Sequence, residues 1–145
     1  MIVYVESSAV IPLVRSEKTS ETVREYLEDL RIDQSHIISA RLLETELRRA
    51  AHRLDINQGL VTETLKRFDI IEMTTNMFQA AGRLEGTHLR SLDALHLATA
   101  LAANASAMIT LDQRLEQACA EVGLPVLDIN IPRESATPSR ESIGP

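Results

Sequence analysis

Leu92-Asp93-Ala94-Leu95-His96-Leu97-Ala98-Thr99-Ala100-Leu101-Ala102-Ala103, followed closely by Ala107-Met108-Ile109, is the stretch that decides the fold. Residues 92–103 are apolar almost all the way round a helix. A helix of that kind is buried between other layers instead of lying on a surface. Ala107-Met108-Ile109 is a short, continuous apolar run and reads as a strand buried on both faces. Asp112 then opens a further helix, predicted to reach Val122 and to end at Gly123. A strand buried on both sides between two helices belongs in a parallel sheet with helices packed on each face.

Working outward, the same alternation recurs. Ile2-Val3-Tyr4-Val5 is a β-branched run that reads as the first strand of the sheet. Short strands are also expected at 36–38, 70–71 and 125–127, and helices at 19–30, 40–54, 57–68 and 75–87. Beyond Pro132 the residues are mostly Pro, Ser, Thr, Arg and Glu, with Ile143 the one strongly apolar residue. Residues 1–131 are therefore expected to form one α/β domain, and residues 132–145 a mobile tail.

Composition narrows the function. The 145 residues are the size of one domain, and 44% hydrophobic content supplies a single core. No apolar run approaches the roughly 18 residues of a membrane span. The N-terminus lacks the basic start of a signal peptide. Cys119 is the only cysteine, which excludes an internal disulfide and the common thiolate-rich zinc sites. A reducing cytoplasm and no membrane association are expected. The net charge of −6 argues against coating nucleic acid through bulk positive charge. Aromatic residues make up only 3% of the chain, which leaves little for base stacking. Basic side chains are nearly all arginine, Lys18 and Lys66 being the only lysines.

Four acids stand where carboxylates are unexpected. Glu6 ends the first strand, and the carboxyl ends of strands line the ligand crevice of open parallel sheets. Glu46 borders the apolar stripe Leu43, Leu47, Ala50 and Leu54, so it is half buried. An ion pair with Arg49 or Arg53 is its alternative explanation. Asp93 begins the buried helix, and Asp112 follows the strand at 107–109; helix capping is the alternative for both. If the four converge at one rim, their charges need cations. Hard divalent ions with oxygen ligands, Mg2+ or Mn2+, fit such a set and can clamp a phosphodiester for in-line attack by water.

Other chemistries lack their patterns. His36, His52, His88 and His96 have no metal-ligand spacing, and His96 is expected to pack or to hydrogen-bond locally. Ser7 and Ser8 lack the nucleophile elbow, and no phosphate-binding glycine loop exists. Cys119 reads as a core residue. A phosphoacceptor domain would need adjacent acids after the first strand and a lysine after a late one. Ser7 and Ser8 follow Glu6 instead, and neither lysine is near a late strand.

Four segments in order give the chain a specific likeness: Val3-Tyr4-Val5-Glu6-Ser7-Ser8-Ala9, Glu46-Leu47-Arg48-Arg49-Ala50, Leu92-Asp93-Ala94-Leu95-His96-Leu97-Ala98 and Ile109-Thr110-Leu111-Asp112-Gln113-Arg114-Leu115. The chain resembles the PIN-domain ribonucleases, especially the VapC-type toxins of bacterial toxin–antitoxin pairs. The resemblance implies a five-stranded parallel sheet flanked by helices. It implies an Mg2+-dependent endoribonuclease, with Mn2+ as substitute, and Glu6, Glu46, Asp93 and Asp112 as both metal ligands and catalytic groups. Ser8, Arg48, Arg49, Thr110 and Arg114 lie within the matched segments and are the candidates for substrate binding. The implied partners are a cognate VapB-type antitoxin, an RNA substrate and a second copy in a homodimer. The family pattern has aspartate where this chain has Glu6. The extra methylene lengthens the side chain by roughly 1.3 Å, which is expected to attenuate activity. A PIN fold that binds antitoxin or RNA without cutting is the competing expectation.

Overall fold

The computed structural model describes residues 1–130; the tail expected at 132–145 lies outside the described residues. Four strands form one parallel sheet: β1 (Ile2–Val5), β2 (His36–Ala40), β3 (Asp69–Ile71) and β4 (Ala107–Ile109), in the order β3-β2-β1-β4. The register places Tyr4 beside Ile38 on one side and Met108 on the other. The helices are α1 (Ser7–Val14), α2 (Ser20–Ile32), α3 (Leu42–Leu54), α4 (Gln58–Leu65), α5 (Thr75–Arg83), α6 (Ser91–Ala102) and α7 (Gln113–Glu121).

Alternation along β1 separates the two core layers. Val3 and Val5 join Val10, Leu13, Val23, Leu43 and Leu47, beneath α1 to α4. Tyr4 points the other way, into Leu97, Met108, Leu115 and Cys119, beneath α6 and α7. Cys119 is the core residue expected, and burial pushes its thiol pKa up to about 12. No helix among the described residues is long and apolar enough to cross a membrane.

Four points differ from the expectations. The fifth strand contracts to one bridge, Met108 to Val126. Pro125 has no N–H for a ladder, and Asp128 then turns the chain by accepting from Asn130 N at 2.9 Å. Helix α1 was not expected, because it has only eight residues and carries Pro12 inside it. Ala40 belongs to β2, so the helix predicted from 40 begins at Leu42. Leu54, placed on the apolar stripe of α3, is exposed where that helix stops at left-handed Asp55.

The chain runs from β1 through β2 to β3 on one side, then crosses to β4 on the other side of β1. The strand order therefore reverses between β1 and β4. Ligand crevices form at the carboxyl ends of strands at such a reversal, and Glu6 directly follows β1 there.

Candidate active site

Glu6 caps α1 and is almost fully buried. Its Oε1 accepts from Ser8 N at 3.1 Å. Its Oε2 accepts from Ser8 Oγ at 2.5 Å and from Thr110 Oγ1 at 2.6 Å. Ser8 Oγ in turn accepts from Leu111 N at 2.8 Å, and Thr110 Oγ1 from Asp112 N at 3.1 Å. These bonds tie the exit of β1 to the exit of β4. Ser8 and Thr110, candidates for substrate contact, thus hold Glu6 in this structure.

Asp112 caps α7 through Oδ1, which accepts from Arg114 N at 2.8 Å and Leu115 N at 3.3 Å. Capping occupies one oxygen, and Asp112 still lines the cleft. Glu46 has no ion pair with Arg49 or Arg53 among the described residues. Its Oε1 instead accepts from Ser7 Oγ at 2.7 Å and lies 2.5 Å from His96 Nε2. Asp93 stands in the first turn of α6, and no side-chain bond caps that helix. Among the described residues it has no hydrogen-bond donor. Partial burial, and then the nearby charges of Asp112 and Glu6, raise its pKa above the ordinary carboxylate value.

All four acids line one cleft of about 580 Å³, together with Arg90 and Arg114. No arginine or lysine forms a salt bridge with any of the four among the described residues. The side chains fit a divalent cation on two counts. Asp93 is a half-buried carboxylate with no hydrogen-bond donor among the described residues. Glu6 and Glu46 each place a carboxylate oxygen within 4.8 Å of the other, with a ring nitrogen of His96 equally near both. Oxygen-rich donor sets of this kind suit hard cations.

The arginines divide. Arg114 lines the cleft as expected. Arg48 turns away: it pairs with Glu44 at 3.4 Å and reaches Gln58 and Thr62 on α4. Arg49 is exposed and outside the cleft lining. Arg90, Ser7, His96 and Tyr4 were not singled out from the sequence as parts of the site. His96 does not bond locally, since Tyr4 and Glu46 are 92 and 50 positions away. Its spacing of three from Asp93, on one helix face, was the available signal.

The model of the PIN domain matches residues 3–121. Ribonuclease VapC35 of Mycobacterium tuberculosis is 36% identical over 132 residues, covering 87% of this chain and 96% of that protein. Ribonuclease VapC46 of the same organism is 28% identical, covering 86% and 95%. Among solved structures, VapBC2 from Rickettsia felis, bound to a DNA fragment from its promoter, superposes with a TM-score of 0.70 at 19% identity. That match covers 88% of this chain and 98% of the other. VapC20 of M. tuberculosis, a Sarcin-Ricin loop cleaving toxin, gives a TM-score of 0.65 at 13% identity, covering 80% and 94%.

Proposed function

The chain belongs to the PIN-domain family, and from that premise we propose that it is the toxin of a type II toxin–antitoxin pair, an endoribonuclease that uses divalent cations. The observation that carries this reading is the convergence of Glu6, Glu46, Asp93 and Asp112 on one cleft in which, among the described residues, no arginine or lysine forms an ion pair with any of them. The naming of the curated relatives as ribonucleases supports it. The finer assignments are Mg2+ with Mn2+ as substitute, a VapB-type antitoxin as partner, RNA as substrate and a homodimer. The antitoxin assignment draws on the VapBC complex among the structural neighbours.

Glu6, Glu46, Asp93 and Asp112 would hold the cation. When bound, it supplies charge neutralisation and Lewis-acid activation for in-line hydrolysis of a phosphodiester. The chain's own work is positional. Ser8 and Thr110 fix the Glu6 carboxylate, and the first turn of α7 fixes Asp112. Arg90 and Arg114, at the cleft wall, offer charge-assisted hydrogen bonds to flanking phosphates.

Purified protein stripped with EDTA is expected to leave total RNA intact and to regain cleavage with Mg2+ or Mn2+. Cleavage that persists in EDTA, or no cleavage with either ion, would overturn the reading. Arg114→Ala is expected to weaken RNA binding about three- to tenfold and to reduce the salt slope by about one ion. A fluorescence-anisotropy titration across salt concentrations checks this. An unchanged slope would leave Arg114 with no role at phosphate.

A further inference from the structure

Glu46 is anchored at one oxygen and open at the other. Oε1 takes Ser7 Oγ at 2.7 Å and His96 Nε2 at 2.5 Å. Among the described residues, Oε2 takes no donor. His96 is fully buried, and on the far side of its ring Nδ1 lies 2.5 Å from the Tyr4 hydroxyl. Tyr4 is itself fully buried in β1. Burial holds its hydroxyl pKa above the usual value, so that group keeps its proton.

The ring can carry its protons in three ways. A neutral ring that accepts from Tyr4 at Nδ1 has its N–H at Nε2. A doubly protonated ring also has an N–H at Nε2. In the third arrangement, with the proton on Nδ1 alone, the Nε2 lone pair would face a carboxylate oxygen at 2.5 Å, which is repulsive. With Glu46 ionised, the contact therefore requires a proton on Nε2, whatever the charge of the ring.

On the reading of Glu46 as a metal ligand, we infer that His96, oriented by Tyr4, is a positioning residue: it pins Glu46 Oε1 from behind, leaves Oε2 for the cation, and is not itself a ligand. The proximity of His96 to Glu6 and Glu46 suits either role. A ligand role would require Nε2 to give up its proton and, starting from the neutral ring, the bond to Tyr4 to reverse. Hydrogen-bond partners behind metal-binding side chains typically change metal affinity by about 10- to 100-fold.

The experiment needs no RNA, so it stands apart from the ribonuclease reading, which fails separately if the parent does not cleave total RNA. In protein labelled with 15N-histidine, the proton on Nε2 of His96 is expected in the metal-free state and unchanged after Mg2+ is added. Loss of that proton on adding Mg2+ would make His96 a ligand and overturn the inference. In Mn2+ titrations followed by electron paramagnetic resonance, His96→Leu is expected to bind about tenfold more weakly. His96→Gln, which keeps an N–H donor near the Nε2 position, is expected to stay within about threefold of the parent. Equal binding by His96→Leu and the parent, or equal weakness of the two variants, refutes the positioning role. If the leucine variant does not fold, Tyr4→Phe decides. It keeps the ring packing and is expected to weaken Mn2+ binding about threefold while a second His96 tautomer appears. Unchanged binding and an unchanged tautomer in that variant count against the inference.

Discussion

Asp93→Asn is expected to lower RNA cleavage by about a thousandfold, the scale of losing one preorganised charged group from a catalytic site, while making the metal-free protein more stable at neutral pH. The two effects share one cause. Asp93 sits half buried with no donor, and its neighbours Asp112 and Glu6 are acids. Among the described residues no donor engages it, so on the proposed reading it is available as a ligand; without metal, its ionised form opposes folding. Asparagine is close in shape, removes the charge and retains only one carbonyl oxygen.

The pH dependence of the stability gain follows from the direction of the shift. A carboxyl whose folded pKa is raised above the ordinary 3.8 is destabilising when ionised. That penalty is absent below the unfolded value, grows as pH rises through the folded value and is complete above it. The melting temperature of Asp93→Asn should therefore exceed the parent's at pH 7. The difference should fade as pH approaches 4. Saturating Mn2+ should raise the parent's melting temperature more than the variant's, because only a bound ion stabilises by mass action. Full cleavage by Asp93→Asn would remove Asp93 from the site.

How far the sequence could be read depended on whether each signal was local. The strands at the N-terminus and at 107–109 were legible because β-branched or continuous apolar runs bounded by polar residues have few other uses. The helix predicted from Leu92 was legible because almost no solvated face could be drawn on it; its middle is buried as expected, while Leu92 and Leu101 near its ends are exposed. Helix α1 was hidden by Pro12 and by its start immediately after Glu6, with no connecting loop to mark a boundary. The acids were legible one by one, since each interrupts an apolar element or follows a strand. The tie of Glu46 to Ser7 and His96 was not, since those bonds join residues 39 and 50 positions apart. Adjacency in sequence also misled. Arg48 is two residues from Glu46, and on a helix that spacing points to the opposite side. Its guanidinium accordingly packs toward α4. Arg114, two residues after Asp112, begins in the loop-to-helix turn where that rule does not apply, and it lines the cleft.

Glu6→Asp is expected to speed Mg2+-dependent cleavage by about a hundredfold, the scale on which an ångström of misplacement slows a positioned reaction. Glu6 is bent back onto the first turn of α1, where Oε1 takes the Ser8 N–H, and its Oε2 takes the hydroxyls of Ser8 and of Thr110 after β4. Each carboxylate oxygen offers about two acceptor directions, so one direction, on Oε1, is left for a cation. Aspartate withdraws the carboxylate by roughly 1.3 Å and cannot reach both hydroxyls from the same backbone without shifting, which frees a further acceptor direction. As an N-cap, aspartate is at least as good, so α1 should persist and circular dichroism should not change. Mg2+ demands near-ideal octahedral geometry and should gain most from the shorter side chain. Mn2+, larger than Mg2+ and less exacting in geometry, should gain less. Both proteins should be stripped and refilled identically, then compared in single-turnover cleavage of total RNA with each ion. Expression of Glu6→Asp without an antitoxin should also slow cell growth more than expression of the parent. A variant no faster than the parent with either metal would mean that Glu6 is an adequate ligand as it stands, and that the extra methylene does not limit this site.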